Sequence, residues 1–89
     1  MWFEWDREKA KLNSRKHGVS FDEAVTVFYD PLSASFGDPD HSNSEIRLIT
    51  VGYSSRGRVL VVSHIDRGET IRIISARLAT ANERKRHES

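Results

Sequence analysis

The chain is predicted to fold as an α+β domain: two N-terminal helices packed on a small antiparallel sheet of about four strands, with a short C-terminal helix. Three observations lead there. Apolar residues recur at helical spacing as far as Phe28, then at a period of two beyond Asp30-Pro31. Capping residues stand ahead of three helical stretches, at Asp6, Ser20 and Thr80. Three apolar runs in the second half are joined by short turns. A parallel crossover needs a dozen residues or more, so these strands must be antiparallel neighbours. Helices segregated from strands define the α+β class.

The elements follow in order. Phe3-Glu4-Trp5 alternates apolar and polar and predicts a short opening strand. Asp6 caps a helix over Arg7–His17, which is rich in helix formers and free of Gly and Pro. Gly18 supplies the left-handed residue at its end. Ser20 and Glu23 form a capping box for a second helix, whose Phe21, Ala24, Val25 and Phe28 make one apolar face. Asp30-Pro31 stops it. Residues 32–36 predict a weak strand and 37–44 a turn-rich stretch. The clearest strands are 46–53, 58–65 and 70–77, joined by turns at 54–57 and 66–69. Thr80 and Glu83 form another capping box and open the last helix. Residues 58–65 and 71–77 carry apolar side chains on both parities, so both sheet faces should be covered: one by the N-terminal helices, the other by the terminal helix or a partner.

Eighty-nine residues predict one domain, 1–89, because folding units usually run to roughly 100–150 residues. The absence of cysteine excludes disulfides and thiolate metal sites. The N-terminus lacks the pattern of a signal peptide, and the longest apolar run, 59–62, is far short of the ~18 residues that span a membrane. A cytoplasmic protein without membrane contact is expected. Net charge is +1, unevenly spread: residues 1–44 carry −3 and residues 45–89 carry +4. Such a dipolar chain can hold a polyanion on one surface and a different partner on another.

No nucleotide-binding loop or nucleophile motif is present, and His17, His41, His64 and His87 are too dispersed for a sequence-evident metal site, so no cofactor is expected. What remains is a set of basic and acid–base residues on the strands: Glu45 and Arg47, Arg58 and His64, Arg72 and Arg77. Metal-free RNA cleavage needs a base for the ribose 2′-hydroxyl, an acid for the leaving 5′-oxygen and cations for the phosphorane. Histidine or glutamate can supply the first two and arginine the third. Each residue also has a structural reading. Arg77 could pair with Glu83, Arg58 and Arg72 could be solvated strand residues, and His17 suits a helix C-terminus by the helix dipole.

Taken together the segments resemble the BrnT family of toxins along nearly the whole chain. The resemblance rests on Phe-Glu-Trp-Asp (3–6), Lys-His-Gly-Val-Ser-Phe-Asp-Glu-Ala (16–24), Phe28 with Asp30-Pro31, and Glu45 with Arg47. It continues through Ser-Ser-Arg-Gly-Arg-Val-Leu-Val-Val (54–62), Ile-Arg-Ile-Ile-Ser-Ala-Arg (71–77), Ala79-Thr80 and Glu83-Arg84. It implies a RelE-like fold and a ribonuclease that halts translation. It also implies a BrnA-like antitoxin that binds the toxin and, with it, represses their shared operon, so that operator DNA is met only through that complex. Lys16, His17, Glu45, Arg47, Arg72 and Arg77 fall in the matching motifs and are taken as catalytic candidates against an RNA substrate; His64 is added on chemical grounds. Two positions depart from the pattern. Leu78 stands where the family often has a basic residue, which removes a possible phosphate contact, and His87 stands where the tail usually has Tyr. The alternative is a catalytically weak binding module that acts with its partner in transcriptional autoregulation.

Overall fold

The computed structural model describes residues 1–38 and 46–88. Along the chain these form β1 (Trp2–Glu4), α1 (Arg7–His17), α2 (Phe21–Val27), β2 (Ala34–Gly37), β3 (Arg47–Tyr53), β4 (Val59–Arg67), β5 (Thr70–Leu78) and α3 (Ala81–Glu88). The α+β class stands, with one difference in the sheet. It has five strands in the order β1-β5-β4-β3-β2, and β1 runs parallel to β5 while every other pair is antiparallel. Short turns dictate antiparallel pairing only between successive strands. β1 and β5 are separated by most of the chain and are free of that constraint. The turn-rich expectation for 37–44 falls largely outside the described residues.

Local chemistry sets the helix ends. The Asp6 carboxylate accepts from the backbone N–H groups of Glu8 and Lys9, and Ser20 Oγ accepts from Glu23 N–H. α1 stops at Gly18, whose φ of 67° only glycine adopts cheaply. One face of the sheet then takes both N-terminal helices. Val19, Phe21, Ala24 and Val27 pack on Leu60, Val62, Ile71, Ile73 and Ala76, with Phe3, Trp5 and Phe28 at the margin. Burying a side chain the size of Phe21 or Leu60 stabilises by about 1.5–3 kcal/mol, so this cluster is the main favourable term.

Two polar devices complete that side. β1 is shorter than β5 and leaves the edge at Ala76 unpaired by any strand. The buried Asn13 of α1 takes the place of a strand there. Its amide donates to Ala76 O (2.8 Å) and Val19 O (3.0 Å) and accepts from Ala76 N–H (3.1 Å). Glu23, also buried, binds the Arg58 guanidinium through Nε (2.9 Å) and Nη2 and accepts from Ser54 Oγ (2.7 Å). Arg58 further donates to Gly18 O. Arg58 is therefore the clamp between α2 and the β3–β4 turn.

A β-bulge decides which side chains share the other face. β4 and β5 pair in step from Arg67/Thr70 to His64/Ile73, and the register then shifts so that Ser63 faces Ser75. Ile74 is the extra residue. Arg72 and Arg77 lie an odd number of residues apart and would point to opposite faces of a regular strand. The bulge puts both on the face away from α1 and α2. α3 lies against this second face. Arg77 Nη1 and Nη2 donate to the two Glu83 carboxylate oxygens at 2.7 and 3.0 Å, Tyr53 Oη donates to Glu88 (2.7 Å), and the Tyr53 ring meets His87 at 5.7 Å. Val59 and Val61 beneath are buried, while Phe36 and Leu78 stay about half exposed.

Candidate functional site

The register assembles a row of side chains across the second face. Glu4 of β1 faces Arg72 of β5, Arg72 faces Ile65 of β4, and Ile65 faces Arg47 of β3. Neighbouring strands lie about 4.8 Å apart, so Arg72 and Arg47 stand on the order of 10 Å from one another with a buried isoleucine between them. Glu4 Oε1 is 3.6 Å from Arg72 Nη1 and 3.8 Å from Arg67 Nη1. These ion pairs are partly exposed and loose, worth about 0–1 kcal/mol each, so an incoming phosphate can compete for the guanidinium groups. Arg77 lies two rows along, opposite Val61.

The sequence candidates divide among four places. Arg47, Arg72 and Arg77 share the second face. Lys16 and His17 end α1 and line a hollow with Ile74 and Ser75 at the edge of β5. His64 is on the helix side and only 1% exposed. Its Nδ1 is 2.7 Å from Asp66 Oδ1, its Nε2 is 2.7 Å from Thr50 Oγ1, and Thr50 in turn meets Ser35 Oγ at 2.7 Å. The Phe28 ring stands edge-on at 4.9 Å. Both ring nitrogens are occupied and the ring is enclosed, so the structure places His64 out of a substrate's reach, as a hydrogen-bonded member of the core. Glu45 lies outside the described residues.

Arg77 is engaged by a carboxylate of α3. Its paired bonds to Glu83 hold that carboxyl down to about 2, helped by Thr80 at the helix start. The pairing with Glu83 that the sequence allowed is formed, and it ties β5 to α3. Arg58, read as a solvated strand residue, is instead held on the helix side by Glu23. Glu4 joins the site without having been singled out from sequence. Its only signal was the Phe3-Glu4-Trp5 alternation, which sets Glu4 against the face that Phe3 fills. Placing it beside Arg72 required the β1–β5 pairing.

Among the described residues no three His, Cys, Asp or Glu side chains gather as a metal site would require, and no helix is long and apolar enough to cross a membrane. The second face offers guanidinium groups at fixed separations, the Glu4 carboxylate beside Arg72, and apolar surface between. Such a face can bind phosphates and stack or bury the groups attached to them.

A family model described as the ribonuclease toxin BrnT of type II toxin–antitoxin systems matches residues 5–83. The fold is similar to the crystal structure of the Brucella abortus ribonuclease toxin BrnT, with a TM-score of 0.69 and 24% identity over 90% of this chain and 97% of that one. No curated protein sequence matches the chain. The structural likeness speaks for the fold, and the family model spans nearly the whole sequence: the chain belongs to the BrnT family of ribonuclease toxins from type II toxin–antitoxin systems.

Proposed function

We propose that the chain is a metal-independent endoribonuclease that cuts RNA on the second sheet face, halts translation by doing so, and is neutralised by a BrnA-like antitoxin. The observation that carries this reading is the Glu4–Arg72–Ile65–Arg47 row. Arg72 and Arg47 bind the scissile phosphate and its neighbour and take up the charge added in the phosphorane. Glu4 is the carboxylate beside Arg72, in place to accept the 2′-hydroxyl proton. Lys16, His17 and Glu45 complete the set taken from the family motifs, with Lys16 and His17 at the edge of β5 rather than beside Arg72. The antitoxin reaches the same face with an acidic segment, which excludes RNA, and operator DNA is bound only by the complex.

The test is an RNA cleavage gel with excess EDTA, using wild type and the Arg72→Ala, Arg47→Ala and Glu4→Gln variants. Cleavage that persists in chelator, and falls at least a hundredfold in Arg72→Ala at unchanged melting temperature, supports the reading. Activity abolished by EDTA and restored by magnesium overturns metal independence. A second reading, a binding module with little catalysis, is favoured by the enclosure of His64 and the engagement of Arg77, which thin the set of acids and cations within reach. It predicts binding of the antitoxin with no RNA cleavage, with or without chelator.

A further inference from the structure

α1 carries Arg7, Lys9, Lys11, Arg15 and Lys16 against a single acid, Glu8. A charged helix ordinarily turns such residues to solvent and keeps an apolar face inward. Here Ala10 and the buried Asn13 turn inward, Asn13 bonding to Ala76, and the exposed Lys9, Leu12 and Lys16 flank them beside the edge of β5. Asn13 and those three, with His17, Ile74 and Ser75, line an open hollow of about 210 Å³. Its lysines are seven residues apart, two helical turns or roughly 10 Å. Leu12 is 61% exposed and, with Ile74, makes the floor apolar. The Glu8 carboxylate pairs with Lys11, not with the hollow's lysines.

Ser75 ties this hollow to the second face. It stands opposite Ser63 there, between Arg72 and Arg77, because the bulge turned it so. On β4 their partners Ile65 and Ser63 are two residues apart, so Arg72 and Ser75 stand in neighbouring rows about 7 Å from one another. A basic rim over an apolar floor, continuous with a row of arginines, is the arrangement that follows a single strand: cations on phosphates, bases laid on the floor. A solvated surface needs neither the floor nor the continuity.

We infer that the α1–β5 hollow is a second RNA-binding subsite, in which Lys9 and Lys16 hold phosphates flanking the nucleotide bound at Arg72. This rests on the reading of the second face as the RNA site and extends that site around the sheet edge. It assigns Lys16 to backbone binding rather than to bond cleavage.

The test is the salt dependence of binding to a 2′-O-methylated oligouridylate of about fifteen nucleotides, which cannot be cut by 2′-hydroxyl attack. Each lost phosphate contact lowers the slope of log K against log salt by ~0.7 for a single strand. The Lys9→Ala/Lys16→Ala variant is expected to lower it by roughly 1.4, and Lys9→Arg/Lys16→Arg to restore it. Alanine favours the helix, so loss of fold is not a competing cause, and circular dichroism checks it. Arg72→Ala is run in parallel. A lowered slope in both arms supports the subsite. A lowered slope in Arg72→Ala alone overturns the subsite and leaves the second face standing. A lowered slope in the lysine variant alone overturns the reading of the second face, and with it the continuous path. Unchanged RNA binding by the lysine variant together with lost inhibition by the antitoxin would make the hollow a protein-docking surface and overturn the assignment to RNA.

Discussion

Replacing Arg77 by Met separates its two possible duties. The side chain makes two charge-assisted bonds to Glu83, at 2.7 and 3.0 Å, and the partners' side chains are 42% and 33% exposed. Bonds to charged groups contribute about 1.5–3 kcal/mol when buried; discounted for solvent at this exposure, the pair is worth about 1–2 kcal/mol. The energy stabilises the docking of α3 rather than the whole fold, because α3 buries no residue and meets the sheet through surface contacts such as those of Tyr53. A loss of about 1–2 kcal/mol raises the undocked population roughly 5–30-fold. Hydrogen exchange in residues 81–88 should therefore quicken by that factor in Arg77→Met, with little change in melting temperature, and Glu83→Gln should match it. Toxicity in cells is then compared. Equal loss in the two variants means that Arg77 acts by fastening α3. A far greater loss in Arg77→Met means that it also meets RNA. Unaltered exchange in both variants would refute the fastening role.

Three further outcomes follow from the packing. A Cβ on Gly52 would sit 2.9 Å from Ser33 Cβ, 3.0 Å from Asp30 Oδ2 and 3.1 Å from Val27 Cγ1. Gly52→Ala should cost about 1–3 kcal/mol and lower the melting temperature by roughly 5–20 °C; an unchanged melting temperature would show that the Asp30–Ser33 turn yields freely. Asn13→Leu strands both polar groups of Ala76 and the carbonyl of Val19, and a urea titration should report a loss of about 3 kcal/mol. A loss under ~1 kcal/mol would mean that water replaces the amide. Acid should destabilise the fold. Asp6, Glu23, Asp30 and Glu83 are all held below their ordinary values, the last at about 2, by backbone N–H groups or arginine. Their contribution is present above the unfolded values, 3.8 for the aspartates and 4.5 for the glutamates, and is lost as pH falls through the folded values. Melting temperature should drop progressively from about pH 4.5 toward 2, less steeply in Glu83→Gln, and a flat profile would contradict the assignment.

The elements were legible in the sequence because their signals are local: caps at Asp6, Ser20 and Thr80, a stop at Gly18, and periods of 3.6 and two. What stayed hidden depends on pairing between distant segments. The parallel β1–β5 contact has no local signature, and Glu4 enters the site only through it. The bulge at Ile74 is invisible in a run of isoleucines that reads as continuous strand, yet it decides that Arg72, Ser75 and Arg77 share a face. His64 was attractive because imidazole suits acid–base work. The even parity it shares with Leu60 and Val62 is what carries it into the core. The Arg77–Glu83 pair, six residues apart, was foreseeable from sequence and is formed.

The central claim is that RNA lies on the sheet face opposite α1 and α2. Photo-cross-linking tests it most directly, using a 2′-O-methylated RNA that carries 4-thiouridine and mapping the attached peptides by mass spectrometry. Cross-links are predicted within 46–53 and 70–78, around Arg47 and Arg72, and should vanish when the antitoxin is added. Cross-links confined to α2 and the turn at 54–58, on the helix side beside Glu23 and Arg58, would contradict the account.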